Sequence, residues 1–198
     1  AGPIMGLAAA ALGIALSGFS APARADGEIK IGEINHYKRM AAFAGPYKLG
    51  IEMALEEVNA AGGVLGKPME FIFRDDQGKP GEAVKIAEEL MTRDGAVMLT
   101  GTILSNVGLA ISSLAAEKKY VYLASEPLAD AITWSKGNDY TFRLRSSTYM
   151  QAAMLAEEAA KTDAIRYATI APNYAYGKDA VAAFKKALTK LKPEVEFV

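Results

Sequence analysis

From residue 28 onward the chain alternates short apolar runs with longer stretches whose apolar residues recur every three to four positions. That alternation constrains the fold more than any other feature. A short apolar run between turn signals fits a buried strand, and a three-to-four period sustained over ten or more residues fits a helix with one apolar face. EIKIGEI (28–34), MEFIFRDD (69–76), AVMLTG (96–101), YVYLAS (120–125), YTFRLR (140–145), AIRYATIAP (164–172) and VEFV (195–198) read as strands. The intervening segments read as helices. The first, over 45–63, carries Leu49, Met53, Ala54 and Val58 at helical spacing and stops at Gly62-Gly63, a pair able to take positive φ. The second, 80–93, opens on Pro80 and buries Ala83, Ile86, Ala87 and Leu90. The third, 106–116, has Ser105 as its N-cap, and two more cover 148–161 and 178–190. The order is β-α-β-α-β-α-β followed by β-α-β-α-β. Crossover helices of this length imply parallel pairing of right-handed connection. The expected fold is α/β, an open parallel sheet flanked by helices, with ligands at the carboxyl ends of the strands. Five strands precede the 148–161 helix and a new β-α-β starts after it, which places a hinge near Arg143–Thr148.

The first 25 residues stand apart. Residues 4–19 (IMGLAAAALGIALSGF) are apolar and uncharged, and Ala23-Arg24-Ala25 follows as a small-x-small exit. This is the pattern of a secretory signal, and the run is shorter than the roughly 20 residues a spanning helix needs. No initiating Met and no basic segment precede it, so the sequence is read as beginning inside the signal, with a periplasmic destination expected.

Composition removes several function classes. The formal net charge is -1, with no clustered basic stripe for nucleic acid and no polybasic run for a membrane surface. The chain has no cysteine, which excludes disulfides and thiolate metal sites. With a single histidine, His36, a histidine-based metal site or a Ser-His-Asp triad is hard to assemble. No metal and no cofactor are expected. Gly62 to Pro68 imitates a phosphate loop, but the spacing is wrong, it follows a helix, and Pro68 stands where Ser or Thr holds magnesium. There is no G-x-G-x-x-G after the first strand and no G-x-S-x-G elbow. The paired carboxylates Asp75-Asp76 suit acid–base work or a cation. Lacking a third acid nearby in sequence, they read as residues that order the loop before the next helix. His36 reads as a structural histidine. An enzyme is not expected.

Four blocks then carry a resemblance: VNAAGGVLGKPMEFIFRDDQGKPGEAV (58–84), LTGTILSNVGLAISSLAAEKKYVYLAS (99–125), YTFRLRSSTYMQA (140–152) and IAPNYAYGKDAVAAFK (170–185). In order and spacing the chain resembles the branched-chain amino acid receptors, the type I periplasmic solute-binding proteins of ABC importers. The resemblance implies two α/β lobes on a hinge that close over a small molecule and dock on inner-membrane permease subunits, with no chemical step. It divides the chain into a signal (1–25), the amino-terminal part of lobe one (26–145) and the beginning of an incomplete lobe two (146–198). A monomer is expected.

The residues themselves point to one part of the site. Ser105 and Asn106 open a helix directly after a strand, and a helix amino terminus, with its unpaired N–H groups, suits a carboxylate. The resemblance implies a ligand-binding serine at Ser105 and an aromatic over the ligand at Phe43, in the loop before the first helix beside His36 and Tyr37. It also implies Tyr176, with its neighbour Tyr174, closing from lobe two. Tyr149, just past the hinge, is a further candidate. One departure matters. Where amino acid receptors bring a carbonyl and a small hydroxyl residue to the ligand, this chain has Pro127 and Leu128. Leu128 offers no side-chain acceptor, and an ammonium buried without one is costly. The expected ligand is therefore a small carboxylate, a hydrophobic amino acid or an aromatic acid. A sensing module of the same fold, acting on a regulator or chemoreceptor, is the alternative function, and an α/β enzyme a remote one.

Overall fold

The structure, a computed structural model, describes residues 27–198. The signal read at 1–25 lies outside the described residues. Seven strands and five longer helices alternate: β1 (Ile29–Asn35), α1 (Ala41–Ala60), β2 (Met69–Asp75), α2 (Pro80–Thr92), β3 (Met98–Gly101), α3 (Ser105–Lys118), β4 (Tyr122–Ala124), a 3-10 turn (Asp130–Ile132), β5 (Thr141–Arg143), α4 (Thr148–Ala160), β6 (Arg166–Tyr167), α5 (Ala175–Leu191) and β7 (Glu196–Phe197). Every element read from the sequence is present, and every pairing between strands is parallel. The first five strands form one sheet in the order β2-β1-β3-β4-β5, and β6 and β7 form a second. The order reverses beside β1, since the chain leaves β1 for β2 on one side and returns to β3 on the other. Such a reversal opens a crevice at the carboxyl ends of the strands.

The core lies between the five-stranded sheet and α2 and α3. Ile34, Leu90, Leu99, Val107, Ile111, Tyr122 and Ile132 are fully buried there. The stripe expected on α2 is the observed one, with Ala83, Ala87 and Leu90 buried and Ile86 packed against the same cluster. Two glycines are demanded by geometry. Gly101 ends β3 at φ +102°, where a Cβ would lie 2.4 Å from the Ile34 carbonyl oxygen. Gly63 turns the chain after α1 at φ +75°, where a Cβ would lie 2.0 Å from the Lys67 carbonyl oxygen. Both positions favour glycine because other residues meet steric resistance at positive φ.

Several expectations are corrected. Helix α1 starts at Ala41, a turn earlier than the predicted segment, so Phe43 is helical and not in a loop. The reason is local: the Met40 N–H closes a turn onto the His36 carbonyl, and the Phe43 and Ala44 amides both donate to the Met40 carbonyl. The apolar residues that give α1 its period are not its inward face. Leu49 and Met53 are exposed, while Ala44 is buried and Tyr47 and Ile51 turn toward the sheet. Those two residues line an apolar cavity of about 320 Å³ with Ile31, Phe71, Met98, Leu123 and Leu144. Helix α5 begins at Ala175, ahead of the expected Lys178. The strand expected over 164–172 is ladder-bonded at Arg166–Tyr167, which pair with Glu196 and Phe197. Ser105 is not the N-cap of α3. Leu104 holds that position, and the Ser105 hydroxyl is bonded elsewhere.

Candidate functional site

The carboxyl ends of β3 and β4 and the starts of α3, α4 and α5 meet in one hydrogen-bonded cluster. After Gly101 the chain passes through Thr102 in the left-handed region, φ 65°, and enters α3 at Ser105. Ser105 is 1% exposed, and its Oγ accepts from the Leu128 N–H at 3.2 Å and the Ala129 N–H at 3.1 Å. A hydroxyl has two lone pairs and one proton, so these contacts leave the Ser105 proton as a donor. The loop after β4 is held from the other side by Arg143, which donates to the Pro127 carbonyl at 2.8 Å, the Ala129 carbonyl at 2.6 Å and the Thr133 hydroxyl at 3.3 Å. Burial holds the Arg143 guanidinium below its usual value, against the opposing pull of Asp130.

The same loop reaches α4 and α5. The Thr148 N–H donates to the Leu128 carbonyl at 2.8 Å, and the Tyr149 N–H to the Asp130 carboxylate at 2.9 Å. A carboxylate at the first turn of α4 is favoured by the helix dipole. From α5, the Asp179 carboxylate accepts from the Asp130 N–H at 2.5 Å and the Thr148 hydroxyl at 2.6 Å. Beside Ser105, the Asn106 Oδ1 is buried with no hydrogen-bond partner among the described residues. A buried acceptor left in this way costs about 1–3 kcal/mol.

A second polar group lies at the ends of β1 and β4. Glu33 and Asn35 are fully buried, and Glu126 nearly so. The Asn35 amide donates to Glu126, and the Tyr37 hydroxyl donates to Glu33. Tyr47 and Ser125 share a hydroxyl–hydroxyl bond of 2.7 Å. Burial raises the Glu33 carboxyl to about 8, in spite of the opposing bonds from Tyr37 and Asn35. Burial also raises Glu126 and pushes Tyr47 up to about 12. At about 8, the Glu33 carboxyl holds its proton under conditions where a surface carboxyl is ionised.

The sequence candidates are distributed unevenly over this arrangement. Ser105, Asn106 and Leu128 are adjacent parts of the first cluster, and Tyr149 joins it through its backbone. Both Leu128 backbone groups are bonded within the protein. The Tyr149 side chain is 45% exposed and packs on Trp134, with ring centroids 5.3 Å apart. Tyr174 and Tyr176 pack on each other at 6.0 Å. Tyr176 lines an open cavity of about 370 Å³ with Leu155, Tyr167, Ile170, Pro172 and Phe184, none of them in the Ser105 cluster. Phe43 is 63% exposed on α1 and makes none of these contacts.

Sequence reasoning did not find Glu33, Asn35, Glu126, Asp130, Arg143, Thr148 or Asp179. One signal was available. Glu33 shares the period-two face of Ile29 and Ile31, and an acid among inward apolar positions marks a buried polar group.

Known proteins share this architecture. The Leu/Ile/Val-binding protein homolog 3 of Brucella melitensis biotype 1 is 31% identical over 175 residues, covering 87% of this chain and 46% of the relative. A solute binding protein of an ABC transporter from Rhodopseudomonas palustris HaA2, solved in complex with p-hydroxybenzoic acid, matches with a TM-score of 0.77 at 26% identity, over 87% of this chain and 46% of that one. Its counterpart from Rhodopseudomonas palustris BisB5, in complex with 3,4-dihydroxy benzoic acid, gives 0.75 at 26%, over 86% and 46%. The chain spans about half the length of these relatives. The fold is that of the type I periplasmic binding proteins, as the sequence resemblance implied. A family model described as periplasmic binding protein matches residues 28–198, and the chain belongs to that family.

Proposed function

We propose that the protein carrying this chain is a periplasmic receptor that delivers a small carboxylate-bearing solute to the permease subunits of an ABC importer. In this reading residues 26–145 belong to lobe one and 146–198 begin lobe two, with the hinge between β5 and α4. The apolar run 4–19 and the Ala23-Arg24-Ala25 exit support export. No catalytic step is needed. Closure is a population shift, favoured by a solute that touches both lobes.

The observation that carries the reading is the cluster at the tip of α3. A helix amino terminus, a serine whose proton is left to donate, and a buried amide oxygen without a partner among the described residues are placed side by side. The first two suit a carboxylate, and the Asn106 oxygen suits a hydroxyl or N–H donor on the same solute. Tyr149, Tyr174 and Tyr176 offer flat apolar faces with polar tips from the lobe-two side, and Phe43 an exposed ring from α1. The Leu128 side chain has no acceptor, which weighs against an α-ammonium held by that side chain. The Rhodopseudomonas relatives bound to hydroxylated benzoic acids support an aromatic acid, and the Brucella relative supports a branched-chain amino acid.

A thermal-shift screen of the full-length protein separates these. Hydroxybenzoates are expected to raise the melting temperature, as mass action requires of a ligand bound to the native state. A shift with leucine, isoleucine or valine and none with hydroxybenzoates would overturn the aromatic assignment. No shift with either class would overturn the carboxylate receptor.

A further inference from the structure

A third polar cluster lies where the β1–α1 and β2–α2 loops meet. The imidazole of His36, which follows β1, faces Asp75 and Asp76 at the end of β2. His36 Nδ1 is 3.7 Å from Asp75 Oδ1 and 3.6 Å from Asp76 Oδ1. Both distances are too long for a hydrogen bond. The His36 side chain is 7% exposed and the Asp76 side chain fully buried, and both His36 Nδ1 and Asp76 Oδ2 lack a hydrogen-bond partner among the described residues. One potential ligand atom from each of the three residues falls within 4.8 Å of the other two. A buried imidazole nitrogen without a partner among the described residues, facing one oxygen from each of two carboxylates, forms an arrangement that calls for a third party.

We infer that His36, Asp75 and Asp76 form a binding site for a divalent transition-metal ion such as Zn²⁺. A Zn²⁺ ion about 2.1 Å from tetrahedrally disposed N and O ligands holds them about 3.4 Å apart. The separations from Nδ1 to the two carboxylates, 3.7 and 3.6 Å, lie near that value. One imidazole and two carboxylates are a donor set suited to zinc, cobalt or manganese. The carboxylates are already oriented by the backbone. Asp75 accepts from the Gln77 N–H at 2.8 Å and the Lys38 N–H at 3.1 Å, and Asp76 accepts from the Gly78 N–H at 2.6 Å. Contacts of this kind behind the ligands fix their direction. A cavity of about 240 Å³, lined by His36, Lys38, Arg39, Gln77 and Lys79, opens beside the imidazole. Its lysines and arginine are exposed, so solvent screens their charge from the buried ligand atoms. The ion ties the two loops together and leaves the α3 cluster untouched, so the site stands apart from the proposed solute site.

The test uses the full-length protein without an affinity tag, stripped with a chelator and titrated with Zn²⁺ alone. Calorimetry is expected to show saturable binding that His36→Gln abolishes. Asp75→Asn, at a partly exposed side chain that keeps an oxygen for the Gln77 amide, weakens it by more than about tenfold. In ¹⁵N-histidine-labelled protein, the Nδ1 signal of His36 shifts on adding Zn²⁺ while Nε2 keeps its proton, a reading that needs no variant to fold. An unmoved His36 signal, or Zn²⁺ binding undiminished by Asp75→Asn, would overturn the site and leave an imidazole held by two carboxylates.

Discussion

Asp179 and Asp130 are joined through the backbone: the Asp130 N–H donates to the Asp179 carboxylate at 2.5 Å, and the Thr148 hydroxyl donates to the same oxygen at 2.6 Å. One side chain of α5 therefore ties α5 both to the loop after β4 and to the start of α4. Asp179→Ala leaves a buried amide and a buried hydroxyl without their acceptor, which costs about 1–3 kcal/mol. Urea unfolding is expected to show that loss, with faster hydrogen exchange at the Asp130 amide. Asp179→Asn, which keeps one oxygen, loses less. Equal stability of the alanine variant and the parent would show that the bond contributes nothing.

Ser105 has one observed task and one proposed task, which stability and affinity report separately. Its oxygen accepts two amides, and its proton is proposed to meet the solute carboxylate. Ser105→Ala is expected to stay folded while losing about 1–3 kcal/mol of stability. The solute dissociation constant then rises roughly tenfold or more, as the loss of a hydrogen bond to a charged group requires. An unchanged dissociation constant removes Ser105 from the solute site and leaves its structural task in place.

Glu33 makes stability depend on pH. Its folded-state value of about 8 lies above the ordinary 4.5, chiefly through burial. Between those values the folded chain holds a proton that the unfolded chain has released. Stability therefore falls as pH rises through that window, by on the order of a few kcal/mol. Glu33→Gln, which cannot ionise, is expected to flatten the dependence and to gain relative to the parent at the alkaline end. Parallel curves of unfolding free energy against pH for the two proteins would contradict this.

A pair of leucines contrasts a buried strand position with an exposed helix position. Leu99 is fully buried between the sheet and the helices α2 and α3, while Leu49 is exposed on α1. Leu99→Ala is expected to cost about 2–5 kcal/mol through lost burial and a cavity. Leu49→Ala, at an exposed position, stays within about 0.5 kcal/mol of the parent. Denaturant midpoints at constant slope measure both.

The sequence carried the elements because their signals are local. Ala83, Ala87 and Leu90 recur at the helical period and do face the core, and EIKIGEI does become β1. The inward face of α1 was not legible, since Leu49 and Met53 keep the helical period as well as Ala44, Tyr47 and Ile51 do. Only the position of the sheet decides between the two stripes. Ser105 was legible as a residue opening a helix after a strand. Its bonds to Leu128 and Ala129 were not, because they cross more than twenty positions of chain.

By itself, then, the order of residues determined the α/β class, the succession of strands and helices, and the family resemblance that the comparisons bear out. These follow from periodicity and from short motifs, each contained within a few turns of chain. The tertiary structure decided which polar groups meet: Asp179 with Asp130, Asn35 with Glu126, and His36 with Asp75 and Asp76. Those encounters depend on strand order and on how the loops at the sheet edge are stacked. Residues far apart in the chain become neighbours only once β1 lies between β2 and β3, and no local pattern encodes that distance.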